Sequence, residues 1–253
     1  MTANWQVADA IRDSALGEAL ASLDSCFALK GKRLTQDPKS VVTRHELDGK
    51  TFYVKRYTKS GKYLRKYLGR SRVRAEWENL QLFRQWGIAT PAILACGEEK
   101  VCGRFVRGAL VTAGLDGACD LEQLARQHSP LLFEREHFRP LARQVADFTR
   151  RMHQHRFAHN DLDWRNILVV PPMVEQQQAA VYFFDCPGGR FWLWPFLEYR
   201  VMKDLAHLDK LAREFLPLRW RLWFYHQYTG RRQLTAADKR RLRRIARYYE
   251  GRD

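Results

Sequence analysis

Apolar residues follow two rhythms along the chain, and the change of rhythm divides it. Val7, Ile11, Ala15, Ala19 and Leu23 recur at helical spacing and predict an amphipathic helix over 5–23. Two runs rich in β-branched and aromatic residues follow, SVVTRHEL at 40–47 and TFYVKRY at 51–57. Asp48-Gly49 between them predicts a hairpin. The segment 72–87 returns to helical spacing through Trp77, Leu80, Phe83 and Trp86, with Gly87 as its stop. Further strands are predicted over 92–97 and 101–106, and the small residues and glycines of ALVTAGLDGA then predict a crossover. Beyond it helices dominate. Residues 134–156 carry Phe138, Leu141, Val145, Phe148 and Met152 on one stripe. The segment 203–215 is a second clear helix, and 238–249 a third with Leu242, Ile245, Ala246 and Tyr249 on its stripe. Two strand-like runs, NILVV and AAVYFFD, flank the polar loop PPMVEQQQ. A β-rich first part and a helix-rich second part predict an α+β fold with a cleft where they meet.

Charge changes this picture most. The 253 residues carry 44 Lys and Arg against 28 Asp and Glu, a net charge of +16. Such a surface attracts polyanions: nucleic acid, anionic lipid headgroups, or a phosphorylated or carboxylated substrate. Nine of the cations stand between Lys55 and Arg74 with no acidic residue before Arg74 (55, 56, 59, 62, 65, 66, 70, 72, 74). The hydrophobic share of 45% is enough for a core and excludes disorder as the main state. Five cysteines without a CxxC pair exclude a disulfide framework and a zinc ribbon. Asp9 and Asp13 interrupt the opening segment, which does not read as a signal peptide, and no apolar run approaches the ~20 residues of a membrane span. The densest apolar patch, FWLWPFL at 191–197, has two readings, contact with lipid and packing in the helical core, and core packing is the one expected. The chain is expected in the cytoplasm, soluble or peripheral to a membrane.

The sharpest chemical signal is AHNDLDWRNILVV at 158–170. It places His159, Asp161, Leu162 and Asn166 in the order H-x-D-L-x-x-x-N between a long helix and a strand, the pattern of a kinase catalytic loop. Phosphoryl transfer needs a carboxylate to orient the acceptor hydroxyl and take its proton, and oxygen ligands for magnesium. Asp161 suits the first role and Asn166 the second. The strand VYFFD then ends in Asp185 beside the turn CPGG, where a carboxylate is placed to hold magnesium. Upstream, Lys55 in YVKRY alternates with Val54 on a strand and can hold nucleotide phosphates. A carboxylate must aim it; Glu76 on the following helix is the candidate and Glu78 the spare.

In this order Lys55, Glu76, HNDLDWRN and Asp185 resemble the protein-kinase-like fold, and the details resemble its lipopolysaccharide kinase branch. FYVKRY, AEWENL, GIATPAILACGE, ALVTAGLDGACDLEQL and KDLAHLDKL carry the resemblance across roughly residues 25–215. It implies a bilobal α+β protein: a β-rich N-lobe over 1–110, a hinge at 111–115, and a helical C-lobe over 116–253. It implies ATP and Mg2+, with a heptose or Kdo hydroxyl of the lipopolysaccharide inner core as acceptor. Asp161 would then be the catalytic base, Asn166 and Asp185 the magnesium ligands, Lys55 the phosphate holder and Glu76 its partner. Backbone groups of residues 110–114, Leu110, Val111 and Thr112 among them, would meet the adenine. Inner-core sugars carry carboxylates and phosphates and sit on a lipid anchor, so the basic surface could serve substrate and anionic membrane together.

The chain departs from protein kinases in four places. No GxGxxG precedes Lys55, and the phosphate-covering segment is sought in GKRLTQDPKS at 31–40. Asp163 stands where many Ser/Thr kinases have lysine, Pro187 replaces the glycine expected two residues after Asp185, and no Ala-Pro-Glu motif follows. These favour a glycan or small acceptor over a protein. Two alternatives are an aminoglycoside- or choline-type kinase, whose cationic acceptors fit a chain at +16 poorly, and a basic pseudokinase-like binding module. Nucleic-acid binding has charge alone behind it and no reading motif.

Overall fold

Asp48 and Gly49 both adopt positive φ, 51° and 71°. They close a tight hairpin between β3 (Ser40–Leu47) and β4 (Lys50–Tyr57), as the Asp-Gly pair predicts. The computed structural model describes residues 2–59, 69–172 and 178–250. Two compact units partition the chain, one of residues 1–81 and 91–116, the other of residues 82–90 and 117–253. Lys62, Arg65 and Lys66 of the basic run, and residues 173–177 of the polar loop, lie outside the described residues.

The first unit is built on a six-stranded antiparallel sheet. It contains β1 (Thr2–Val7), β2 (Lys32–Gln36), β3, β4, β5 (Ile93–Val101) and β6 (Arg104–Ala113), in the order β1-β5-β6-β4-β3-β2. Two short helices, α1 (Ala15–Ala19) and α2 (Leu23–Ala28), lay Leu16, Leu20, Leu23 and Cys26 on Phe52, Val54, Ala95, Ala109 and Val111. Burying a side chain of the size of Leu20 or Val54 contributes about 1.5–3 kcal/mol. The single helix expected over 5–23 is therefore replaced by a strand and two helical pieces. Ser14 and Ser22 each cap a new N-terminus, Ser22 in a reciprocal capping box with Ser25, which interrupts the run twice. Residues 2–7 instead pair with β5.

Two other expectations change. The strands expected over 92–97 and 101–106 run longer, because Gly97 lies inside β5 rather than ending it. A side chain there would collide with the Asn4 carbonyl on β1, so glycine serves close strand approach. The turn falls instead at Cys102 and Gly103, with φ of 47° and 76°. The crossover expected from residue 109 is, up to Ala113, strand β6. Helix α3 (Arg72–Gln85) buries Val73, Glu76, Asn79 and Leu80. Gly87 at φ 67° ends it, with the Ile88 N–H donating to the Phe83 carbonyl at 2.8 Å.

In the second unit the strand pieces are β7 (Cys119–Asp120), β8 (Phe157–Ala158), β9 (Ile167–Val170), β10 (Ala180–Phe183) and β11 (Arg190–Phe191). The helices are α4 (Leu121–Arg126), α5 (Pro130–Phe133), α6 (Arg135–Gln154), α7 (Phe196–Phe215), α8 (Leu218–Thr229) and α9 (Ala236–Ala246). The expected stripe of α6 turns Phe138, Leu141, Val145 and Met152 inward, and Phe138 stacks on Trp220 of α8 at 4.3 Å. Val201, Met202 and Leu205 of α7 share a core with Tyr225, Tyr228 and Ile245, against which Leu242 and Tyr249 also pack. One expectation fails here. Phe191, Leu193, Trp194 and Phe196 are 56%, 73%, 79% and 66% exposed, so FWLWPFL is not core. Among the described residues no helix is long and apolar enough to cross a membrane.

Candidate active site

In the first unit, β4 alternates its side chains, so that Val54 enters the core while Lys55 faces away from it. The Lys55 Nζ lies 3.1 and 3.0 Å from the two carboxylate oxygens of Glu76. The Tyr57 hydroxyl donates to the same carboxylate. Glu76 is 3% exposed, so its charge rests on these partners. Glu78 pairs instead with Arg70 and Arg74, at 2.9 and 2.8 Å. Of the two carboxylates weighed for Lys55, the structure thus selects Glu76.

Segment 31–40 contains β2 and its turn into β3. Asp37 closes that turn by accepting the backbone N–H groups of Lys39 and of Ser40, the latter at 3.1 Å. This is an Asx-type turn closure. Leu110, Val111 and Thr112 lie inside the sheet, registered with Lys55, Val54 and Tyr53 on one side and with β5 on the other. Strand β6, which carries all three, stands between β4 and β5 in the sheet.

In the second unit the catalytic-loop motif leaves β8 and is folded back by its own hydrogen bonds. Asn160 takes φ 66°. The Asp163 N–H donates to the Asp161 carbonyl at 2.9 Å, and the Asn166 side-chain amide donates to the same carbonyl at 2.8 Å. Leu162 and Trp164 anchor the loop in the core, and the Trp164 indole donates to the Leu208 carbonyl on α7 at 2.8 Å. Between these anchors the Asp161 side chain remains 68% exposed, open to an incoming hydroxyl. Strands β9 and β10 pair from Ile167 opposite Phe183, and the Phe184 N–H donates to the Asn166 carbonyl at 3.2 Å. Asp185, at φ 53°, therefore leaves the same end of the hairpin at which Asn166 enters. After Asp185, the Gly188 carbonyl accepts from the Asn160 amide at 2.8 Å. Gly189 is required by packing, since a side chain there would strike Cys186 Sγ and the Phe157 ring.

Three residues of α7 complete this arrangement and escape a reading for single motifs. Asp204 is fully buried and accepts the backbone N–H groups of His159 at 2.7 Å and Asn160 at 2.9 Å, with His153 Nε2 at 3.3 Å. Lys203 donates to the Asn160 carbonyl at 3.3 Å. His207 Nδ1 stands 3.8 Å from the Asp161 carboxylate. The signal was a charged residue on the apolar face of KDLAHLDKL, at i, i+1 and i+4 spacing toward one loop. Burial pushes the His159 imidazole below its ordinary pKa, against the pull of Asp204, Asp161 and Asp185. Burial also lowers His207, and Lys203 adds to the shift. Both rings are thereby kept neutral at pH 7.

The donor set suits a hard cation. Asn166 commits its amide nitrogen to the Asp161 carbonyl, which makes its oxygen the candidate ligand atom, and the Asp185 carboxylate belongs to the same end of the β9–β10 hairpin. Among the described residues no group of three or more His, Cys, Asp and Glu forms a metal cage. Magnesium needs none, because it takes one or two protein oxygens and completes its shell with phosphate and water.

A family model described as "Lipopolysaccharide kinase (Kdo/WaaP) family" matches residues 28–248. None of the curated proteins compared matches the chain. Among solved structures, one titled "WaaP in complex with acyl carrier protein" is 23% identical to it, with 98% of each chain covered and a TM-score of 0.73. With 1052 matching solved chains the fold is widespread, so the structural likeness supports the fold, and the family model carries the activity.

Proposed function

The chain belongs to the lipopolysaccharide kinase (Kdo/WaaP) family, and on that premise we propose that it transfers the γ-phosphate of ATP to a heptose or Kdo hydroxyl of the inner core. The observation that carries this is the exposed Asp161 carboxylate on a loop whose backbone is clamped by buried Asp204. Asp161 orients the acceptor hydroxyl and takes its proton as the oxygen attacks the γ-phosphorus. The bond from that phosphorus to the bridging oxygen breaks, and ADP leaves. His207, lowered by burial, stands 3.8 Å from that carboxylate. Lys55, aimed by Glu76, holds nucleotide phosphates. Mg2+ held by Asn166 and Asp185 would neutralise phosphate charge when bound.

Family membership takes the place of the aminoglycoside- or choline-type alternative. The solved relative is in complex with an acyl carrier protein, and such a protein is proposed as a partner here as well, to be sought by co-purification. The acceptor is read from cells. Core oligosaccharide from strains with and without the gene is compared by mass spectrometry, and fragmentation locates the phosphate. Loss of one phosphate from one sugar of the core identifies the hydroxyl. An unchanged core overturns the assignment of the acceptor.

A further inference from the structure

The segment running from β11 into α7 exposes a cluster of large apolar side chains. Phe191, Leu193, Trp194 and Phe196 are each more than half exposed, and Tyr199 is 40% exposed. Scattered apolar residues are ordinary on a protein surface, but five large ones within nine consecutive positions form a patch that marks a contact. They run from the end of β11 through the connecting loop into the first turn of α7.

Arginines frame this patch. The guanidinium carbons of Arg190 and Arg200 lie 5.1 and 4.2 Å from the centre of the Trp192 ring, flanking the segment. On the α7 side, Arg244 of α9 reaches Glu198 at 3.9 Å, and the Tyr248 hydroxyl lies 3.4 Å from that of Tyr199. Arg243, Arg244 and Arg247 share one surface hollow with Tyr199 and Tyr248. Two arginines thus flank the aromatic segment at Trp192 and three more stand at its α7 end beside Tyr199, with Glu198 and Glu250 as acidic neighbours.

We infer that residues 191–199 form a wedge that seats the protein on an anionic phospholipid bilayer, with the arginines of α9 on the lipid phosphates. Indole, phenyl and phenol rings are the groups favoured at a membrane interface, and arginine forks match phosphate oxygens. A second copy of the chain would bring five more arginines against these five, whereas an anionic bilayer complements them. The wedge is also splinted to the catalytic loop at both ends. Strand β11 pairs with β8, directly ahead of His159, and α7 carries Lys203, Asp204 and His207 onto residues 159–161. Docking the wedge therefore holds Asp161 at a fixed, short distance from the lipid surface, where the headgroup of a glycolipid presents its sugars. That last step rests on the acceptor proposed above.

Two kinds of vesicle test this with the full chain: phosphatidylcholine alone, and phosphatidylcholine with phosphatidylglycerol. Wild type should co-sediment with the anionic vesicles and lose binding as salt rises. The triple variant Leu193→Ser, Trp194→Ser, Phe196→Ser should lose partition by roughly 100-fold or more while keeping its circular dichroism spectrum. Arg243→Glu, Arg244→Glu, Arg247→Glu should lose the gain from phosphatidylglycerol and its salt dependence. The serine variant should phosphorylate water-soluble, delipidated core oligosaccharide as wild type does, yet fall behind on core glycolipid in vesicles. If wild type phosphorylates neither acceptor, the kinase proposal fails while the partition data still judge the wedge. Equal partition of wild type and serine variant overturns the inference. So does a variant whose defect is loss of self-association or of a bound acyl carrier protein.

Discussion

Asp204→Asn isolates the clamp on the catalytic loop with a change of one atom. Its two carboxylate oxygens divide three partners: one takes the His159 N–H at 2.7 Å and faces His153 at 3.3 Å, the other takes the Asn160 N–H at 2.9 Å. An amide in the same place presents one oxygen and one NH2, so a buried N–H donor must face another donor. A hydrogen bond to a charged group contributes about 1.5–3 kcal/mol, and a stranded buried donor costs about 1–3 kcal/mol, which together come to roughly 3–5 kcal/mol. For a chain of this size such a loss lowers Tm by about 10 °C. The loop it frees carries Asp161, so kcat should fall more than 10-fold while the KM for ATP changes little. Thermal melts by circular dichroism and steady-state transfer on the same preparation read both effects. A variant that melts within about 2 °C of wild type refutes the clamp energetics, and one that melts early but turns over normally refutes its role in placing Asp161.

Three further outcomes follow from the geometry. Glu76→Gln should cost about 3 kcal/mol and weaken ATP binding at least 10-fold by calorimetry, because it strips a buried ion pair at 3.0 Å. Glu78→Gln, at the rim with Arg70 and Arg74, should cost under ~1 kcal/mol, and equal effects at the two positions would contradict the pairing. Gly189→Ala should destabilise by about 1–3 kcal/mol through collision with Cys186 and Phe157, whereas Gly188→Ala meets only contacts of 3.8 Å or more and should be near neutral in denaturant titrations. His159 is neutral in the fold because its pKa is lowered from 6.5, so the unfolded chain binds its proton first as pH falls. Its contribution is complete above that value and is lost as pH drops below about 6.5, until the folded ring protonates as well. His159→Gln should flatten stability against pH below about 6.5; an unchanged slope would show that the ring is not held neutral.

How far the sequence could be read depended on how local each signal was. The Asp48-Gly49 hairpin, the stripe of α6 and the loop from His159 to Asn166 are set by neighbours within a few residues, and all three stand where expected. Residues 5–7 looked helical because their strand partner, β5, begins some 90 residues later, and helical spacing alone cannot register a distant edge. The strand predicted to end at residue 97 continues because Gly97 permits close approach to the Asn4 carbonyl, a contact that no local signal reveals. Likewise, residues 109–118 resembled a crossover by composition, but the strand character of 109–113 depends on β4 and β5 together. Asp204 was hidden for the opposite reason: a charge on an apolar helix face makes sense only once the loop it clamps is in place. The aromatic run at 191–197 reads as core by composition, and its exposure is a property of the fold alone.

Transfer of labelled phosphate by the purified chain is the most direct measurement of whether Asp161 does this chemistry. With [γ-32P]ATP, Mg2+ and dephosphorylated core glycolipid, wild type should label the sugar, and Asp161→Asn should lose at least 1000-fold in kcat while melting at the same temperature. Label transferred at the wild-type rate by the Asp161→Asn protein, freed of other kinases, would contradict the account at its base.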